Sequence, residues 1–164
     1  GAAAVVASAK PSSSDPSLVL RRSGSTVIPD SADLMHWEIG DHGFAMGLSP
    51  RVPDAVGAAL LPWLRGWLKD QANELEAVTS WAVHPGGPRI LSTCTEVLSL
   101  DPNHLIESRG VLQEHGNMSS ATILFILERL RRRSSAGPCL ALAFGPGLSA
   151  EVALFDLVRQ EGSR

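Results

Sequence analysis

Short apolar runs bounded by glycine and proline alternate with helical repeats along this 164-residue chain. That alternation favours the layered α/β class, in which helices cover a sheet. Residues 18–20, 26–28, 79–83, 139–144 and 152–158 read as strands, and residues 35–48 as two short strands joined by a turn. Residues 21–25 read as a polar turn and residues 10–17 as a Ser/Pro-rich connector. Val56, Leu60, Leu64 and Leu68 repeat at a spacing of four, which predicts a helix with Asp54 as its N-cap. Pro62 lies inside that repeat and predicts a kink or two shorter helices. Further helices are expected over residues 89–98 and 108–114. Another should follow Asn117, placed as its N-cap, with residues 121–127 apolar almost all round and therefore buried. Arg129, Arg131, Arg132 and Arg133 crowd the end of that helix, where cations suit its dipole.

The chain is long enough for one domain with a real core. Its 44% hydrophobic and 19% charged content is that of a globular protein, and a net charge of -3 argues against a nucleic-acid partner. Cys94 and Cys139 are too few for a disulfide framework and lack metal-ligand spacing, so no metal is expected and a reducing cytoplasm is the simplest compartment. No apolar run approaches the roughly 20 residues that span a bilayer. The chain opens on Gly1 inside an apolar run without a preceding basic segment. Residues 1–9 are therefore expected to be a buried strand whose beginning is cut away, and the chain a fragment.

Three segments could carry chemistry: residues 81–88 (Trp-Ala-Val-His-Pro-Gly-Gly-Pro), 116–121 (Gly-Asn-Met-Ser-Ser-Ala) and 144–148 (Phe-Gly-Pro-Gly-Leu). His84 ends a buried strand and opens a turn, where an imidazole can face the crevice at the strand ends. There it could donate to an oxyanion or exchange a proton near neutral pH, although a histidine held by turn hydrogen bonds would look the same. Gly86 and Gly87 let backbone approach a ligand, but also suit an ordinary turn. An amide at a helix N-terminus, such as that of Asn117, is a good oxyanion donor, though capping alone explains an Asn there.

These segments, in this order and after the opening Gly-Ala-Ala-Ala-Val-Val, resemble the type III polyketide synthases (the chalcone and stilbene synthase family) across their C-terminal half. The resemblance covers essentially the whole chain. It implies the C-terminal half of a thiolase-like αβαβα layered fold. Residues 1–9 would be the last strand of the N-terminal half, and residues 10–164 the C-terminal domain. It makes His84 and Asn117 the catalytic pair, binding the thioester carbonyl of malonyl-CoA and stabilising the enolate left by loss of carbon dioxide. That carbanion would attack an acyl group carried from an acyl-CoA starter by a cysteine thiolate. Gly86 and Gly87 would lie against coenzyme A. The substrates would be coenzyme A thioesters, with no further cofactor, in a homodimer of the full-length protein.

The nucleophilic cysteine of the family belongs to its N-terminal half, and neither Cys94 nor Cys139 has its context. The resemblance thus implies that this chain does not turn over alone. Residues 35–46 look more like bacterial members than plant ones, and Met46 aligns with the plant enzymes' gatekeeping phenylalanine. Phe44 and Met46 are pocket candidates, with core packing as the plain alternative; Ser119, Gly145 and Pro146 join them. A flexible Met suits an aliphatic starter. Two rivals stand beside this reading. One is an initiating ketoacyl-ACP synthase, against which Pro85-Gly86-Gly87 argues. The other is a non-catalytic remnant serving as a dimerisation partner.

Overall fold

The computed structural model describes residues 1–9, 15–68, 74–133 and 136–158. Its frame is a four-stranded mixed sheet made of β1 (Ser17–Val27), β4 (Ser80–Val83), β5 (Gly137–Gly145) and β6 (Ser149–Val158), in the order β1-β6-β5-β4. The sheet is antiparallel except that β4 runs parallel to β5. A separate antiparallel hairpin is formed by β2 (Met35–Gly40) and β3 (Gly43–Leu48). The helices are α1 (Val52–Trp67), the single turn α2 (Glu74–Ala77), α3 (Pro88–Val97), α4 (Ile106–His115) and α5 (Ser120–Arg133).

Period-two alternation in the strands builds two cores, one on each face of the sheet. Trp81, Val83, Leu140, Leu142, Val152 and Leu154 point to the side covered by α1 and α3. Ala82, Cys139 and Ala141 point to the other side, against Val111 of α4 and Ile126 and Leu130 of α5. The result is a three-layer arrangement of helices, sheet and helices. On the α5 side the β4 and β5 residues of this cluster are small, with Leu18 of β1 and Phe155 of β6 packed beside them.

The four-residue repeat of α1 is buried as expected, with Val56, Leu60, Leu64 and Leu68 all at most 2% exposed. Pro62 does not divide it into two helices. A proline in a helix interior costs ~3 kcal/mol, while each fully buried aliphatic side chain contributes ~1.5–3 kcal/mol. The buried stripe therefore carries the helix through. Asp54 is not the N-cap: Arg51 occupies that position, and Asp54 sits in the first turn, where a carboxylate suits the dipole. In α5 only Thr122, Ile126 and Leu130 are buried, so the helix buries one stripe rather than its whole circumference.

Two strand expectations are corrected. Residues 18–28 do not form two strands with a polar turn between them; Ser17–Val27 is one strand with a bulge between Leu20 and Arg22. The extra residue puts Leu20 and Arg22 on opposite faces. Arg21 then pairs with Asp156 at 2.9 Å, and the Arg22 guanidinium lies 4.7 Å over the Trp67 ring. Trp67 fills the space that a Cβ at Gly24 would need. The second correction concerns residues 1–9, which form no strand and are exposed throughout. An apolar strand is buried only by a neighbour that takes its backbone hydrogen bonds, and no described strand pairs with them. Of the expected connector, residues 10–14 lie outside the described residues.

Candidate active site

β4 is buried at all four positions and ends at Val83, beside the parallel strand β5. His84 continues it by one residue, its N–H donating to the Leu142 carbonyl at 2.8 Å. Its own carbonyl accepts from the Gly86 N–H at 3.1 Å, which closes a tight turn around the buried Pro85. The imidazole therefore stands at the C-terminal ends of two parallel strands, the usual place for ligands in such sheets. Burial pushes its pKa below the ordinary 6.5, so the ring is neutral near pH 7.

Gly86 and Gly87 lead into α3, with Gly87 at its N-cap position and Pro88 at the first turn. Gly87 is extended (φ −176°), a conformation open to any residue. A Cβ added there would meet nothing within 4 Å, and at Gly86 only the Ile90 side chain at 3.8 Å. Protein packing does not require either glycine.

Asn117 lies in the loop between α4 and α5, and the structure corrects its expected role as a cap. The chain turns at Gly116 (φ 70°) and again at Ser119 (φ 57°), so α5 starts only at Ser120. The Asn117 Oδ1 accepts from the Ser119 N–H at 2.8 Å, and the Met118 N–H donates to the buried Thr122 hydroxyl at 2.8 Å. With Oδ1 so held, the exposed Asn117 amide reaches across and donates to the Gly86 carbonyl at 3.4 Å. The structure thus brings Asn117, held by the Ser119 N–H, to Gly86 in the turn that His84 opens.

Gly145 and Pro146 occupy the same end of the sheet, where β5 leaves it through a 3-10 turn over Pro146–Leu148. β2 packs beside that turn. Phe44 and Met46 are not core residues: they are 69% and 52% exposed on the hairpin. Register places Trp37 opposite Met46 and Ile39 opposite Phe44, so these four share one face. The Trp37 and Phe44 rings meet edge to face at 6.1 Å. Trp37 and Ile39 were legible as their companions from alternation alone. A cavity of about 10 Å³ beneath α1, lined by Ile28, Leu60, Trp63 and Phe144 among others, touches none of the candidate residues.

Neither cysteine has the character of a nucleophile. Cys94 is buried in α3, and Cys139 is buried within β5. Burial pushes each thiol up to about 12. Among the described residues no group of three or more His, Cys, Asp or Glu side chains could hold a metal ion, and no helix is long and apolar enough to cross a membrane.

Residues 19–159 match the family model described as chalcone and stilbene synthases, C-terminal domain. The chain belongs to the chalcone and stilbene synthase family, the type III polyketide synthases. The domain is 29% identical to the alpha-pyrone synthesis polyketide synthase-like Pks18 of Mycobacterium tuberculosis, covering 87% of this chain and 37% of that protein. It is 33% identical to polyketide synthase 37 of Dictyostelium discoideum over 82% of this chain and 5% of that protein. The crystal structure of 1,3,6,8-tetrahydroxynaphthalene synthase from Streptomyces coelicolor A3(2), a bacterial type III polyketide synthase, superposes with a TM-score of 0.80. It is 32% identical, over 88% of this chain and 42% of that one. The polyketide synthase domain described here thus spans about two-fifths of that structure's length and of Pks18. Its three layers are the C-terminal half of the thiolase-like fold.

Proposed function

We propose that this domain supplies the oxyanion-binding His84 and Asn117 of a type III polyketide synthase, which condenses an acyl-CoA starter with malonyl-CoA. The observation that carries this reading is the hydrogen bond from Asn117 to Gly86, which ties the carboxamide to the turn opened by a neutral, half-buried imidazole. Loss of carbon dioxide from malonyl-CoA leaves the electron pair of the broken C–C bond as an enolate, with its charge on the thioester oxygen. Two preorganised N–H donors about 3 Å from that oxygen stabilise it far better than water does. The enolate carbon then attacks the acyl thioester on the nucleophilic cysteine of the N-terminal half, and the thiolate leaves.

Gly86 and Gly87, which packing leaves free, let the coenzyme A arm lie against backbone at the start of α3. Phe44 and Met46, with Ser119, Gly145 and Pro146, form the acyl pocket, and a flexible Met at position 46 suits an aliphatic starter. The reaction needs no cofactor beyond the coenzyme A thioesters. The synthase works as a cytoplasmic homodimer, the arrangement general in its family.

In the intact synthase, His84→Ala and Asn117→Ala each lower malonyl-CoA decarboxylation by at least roughly 100-fold, the usual cost of an oxyanion donor. The double variant loses far less than the product of the two, because the pair acts as a unit. Near-parental turnover in either single variant rejects this reading.

A further inference from the structure

Val83 and Ser108 hold a contact that joins two layers of the fold. Among the described residues β4 is the last strand of the sheet, with β5 as its single neighbour, yet it is fully buried. Successive N–H groups of a strand point to opposite edges. Since the His84 N–H donates to β5, that of Val83 faces the open edge. No described strand lies there to receive it. The Ser108 Oγ, on α4 and completely buried, accepts that N–H at 3.1 Å. The Ser92 and Thr95 hydroxyls, by contrast, donate back to the carbonyls four residues earlier in their own helix.

We propose that Ser108 is a positioning residue for His84, fixing through the Val83 N–H where the imidazole stands relative to Asn117. The proposal rests on the catalytic reading of His84. Three backbone hydrogen bonds clasp this short stretch: Val83 N–H to Ser108, His84 N–H to Leu142, and Gly86 N–H to the His84 carbonyl. The first comes from a side chain and ties the strand itself to another layer, as the Asn117 amide ties the Gly86 carbonyl two residues after His84. Beside Ser108, Glu107 anchors the same turn of α4 to α5, pairing with Arg133 at 3.0 Å and with Arg129 at 4.0 Å. One turn of α4 therefore holds both the strand that ends at His84 and the helix that follows Asn117. Packing alone would be served by Ala or Val at position 108; the edge N–H needs an oxygen. A donor displaced by about 1 Å from a developing oxyanion can cost on the order of 100-fold in rate, so a partial release of the strand shows in turnover.

The test compares Ser108→Val, which matches the size of Thr without an oxygen, with Ser108→Thr in the intact synthase, per active site titrated. Ser108→Val is expected to lower kcat for malonyl-CoA decarboxylation about tenfold, with KM changed less than about threefold. Ser108→Thr is expected to recover kcat to within about threefold of the parent. Equal kcat for Val and Thr, or a loss confined to thermal stability, overturns the proposal. If Ser108→Val does not fold, Ser108→Ala takes its place against the same Thr variant. His84→Ala runs alongside: if it keeps parental activity, the catalytic reading fails and the proposal with it. An impaired His84→Ala beside an unimpaired Ser108→Val sinks the positioning role alone.

Discussion

The Asn117 carboxamide donates to the Gly86 carbonyl across 3.4 Å, joining positions 31 residues apart. Its oxygen is already engaged by the Ser119 N–H at 2.8 Å, so its nitrogen is the end that faces the turn. Asn117→Asp keeps the shape and the Ser119 contact but places a carboxylate oxygen beside the Gly86 carbonyl, where an N–H stood. Decarboxylation by the intact synthase should fall by at least about 100-fold. The melting temperature should move by only a few degrees, since the loop is exposed. Circular dichroism melts beside a carbon dioxide release assay separate the two effects.

Burial lowers the His84 pKa, which fixes the sign of a pH effect on stability. Below about pH 6.5 the unfolded chain takes up a proton that the folded imidazole resists, so the unfolded state binds more protons. Stability therefore falls as pH drops below 6.5 and continues to fall until the folded pKa is passed; above 6.5 this contribution is constant. Melts of the parent and of His84→Gln from pH 5 to 8 isolate it. The parent should lose more stability on acidification than the variant, whereas identical slopes would mean a solvated ring.

Cys94 and Cys139, both held near 12, are almost entirely thiol at pH 8, with a thiolate fraction on the order of 10⁻⁴. Iodoacetamide at that pH should label neither in the folded chain and both in urea. Rapid native labelling of either, read by intact mass, would contradict the buried environments described.

The hairpin carries Trp37, Ile39, Phe44, Met46 and Leu48 on one face, each more than half exposed. A contiguous apolar surface of this kind drives association in water. The isolated 164-residue chain should self-associate at micromolar concentration. Ile39→Ser with Phe44→Ser should reduce that association without lowering the melting temperature, because neither side chain supports the core. Light scattering checks the first expectation and a thermal melt the second.

The sequence made much of this legible where period and burial agree. The repeat from Val56 to Leu68 announced α1, and the run from Thr79 to Val83 announced the strand before His84. Reading failed where an element's logic was not local. Arg21 to Ser25 looked like a turn because polar residues followed apolar ones, yet the bulge after Leu20 shifts the pattern by one residue and the strand continues, with Arg22 on Trp67. Asn117 looked like a cap because the apolar run begins just after it; the positive φ of Ser119 delays the helix. The meeting of Asn117 with Gly86 could come from the sequence only through resemblance, since no local rule relates two loops separated by two helices.

The floor of Ala82, Cys139 and Ala141 under α5 has a consequence for how such a domain can evolve. None of these three side chains is larger than a cysteine, so one bulkier residue there would push against the helix, at a cost of ~1–3 kcal/mol. The loop bearing Asn117 would ride up with its helix. Spacing between the two donors can therefore be tuned from positions that no substrate ever meets.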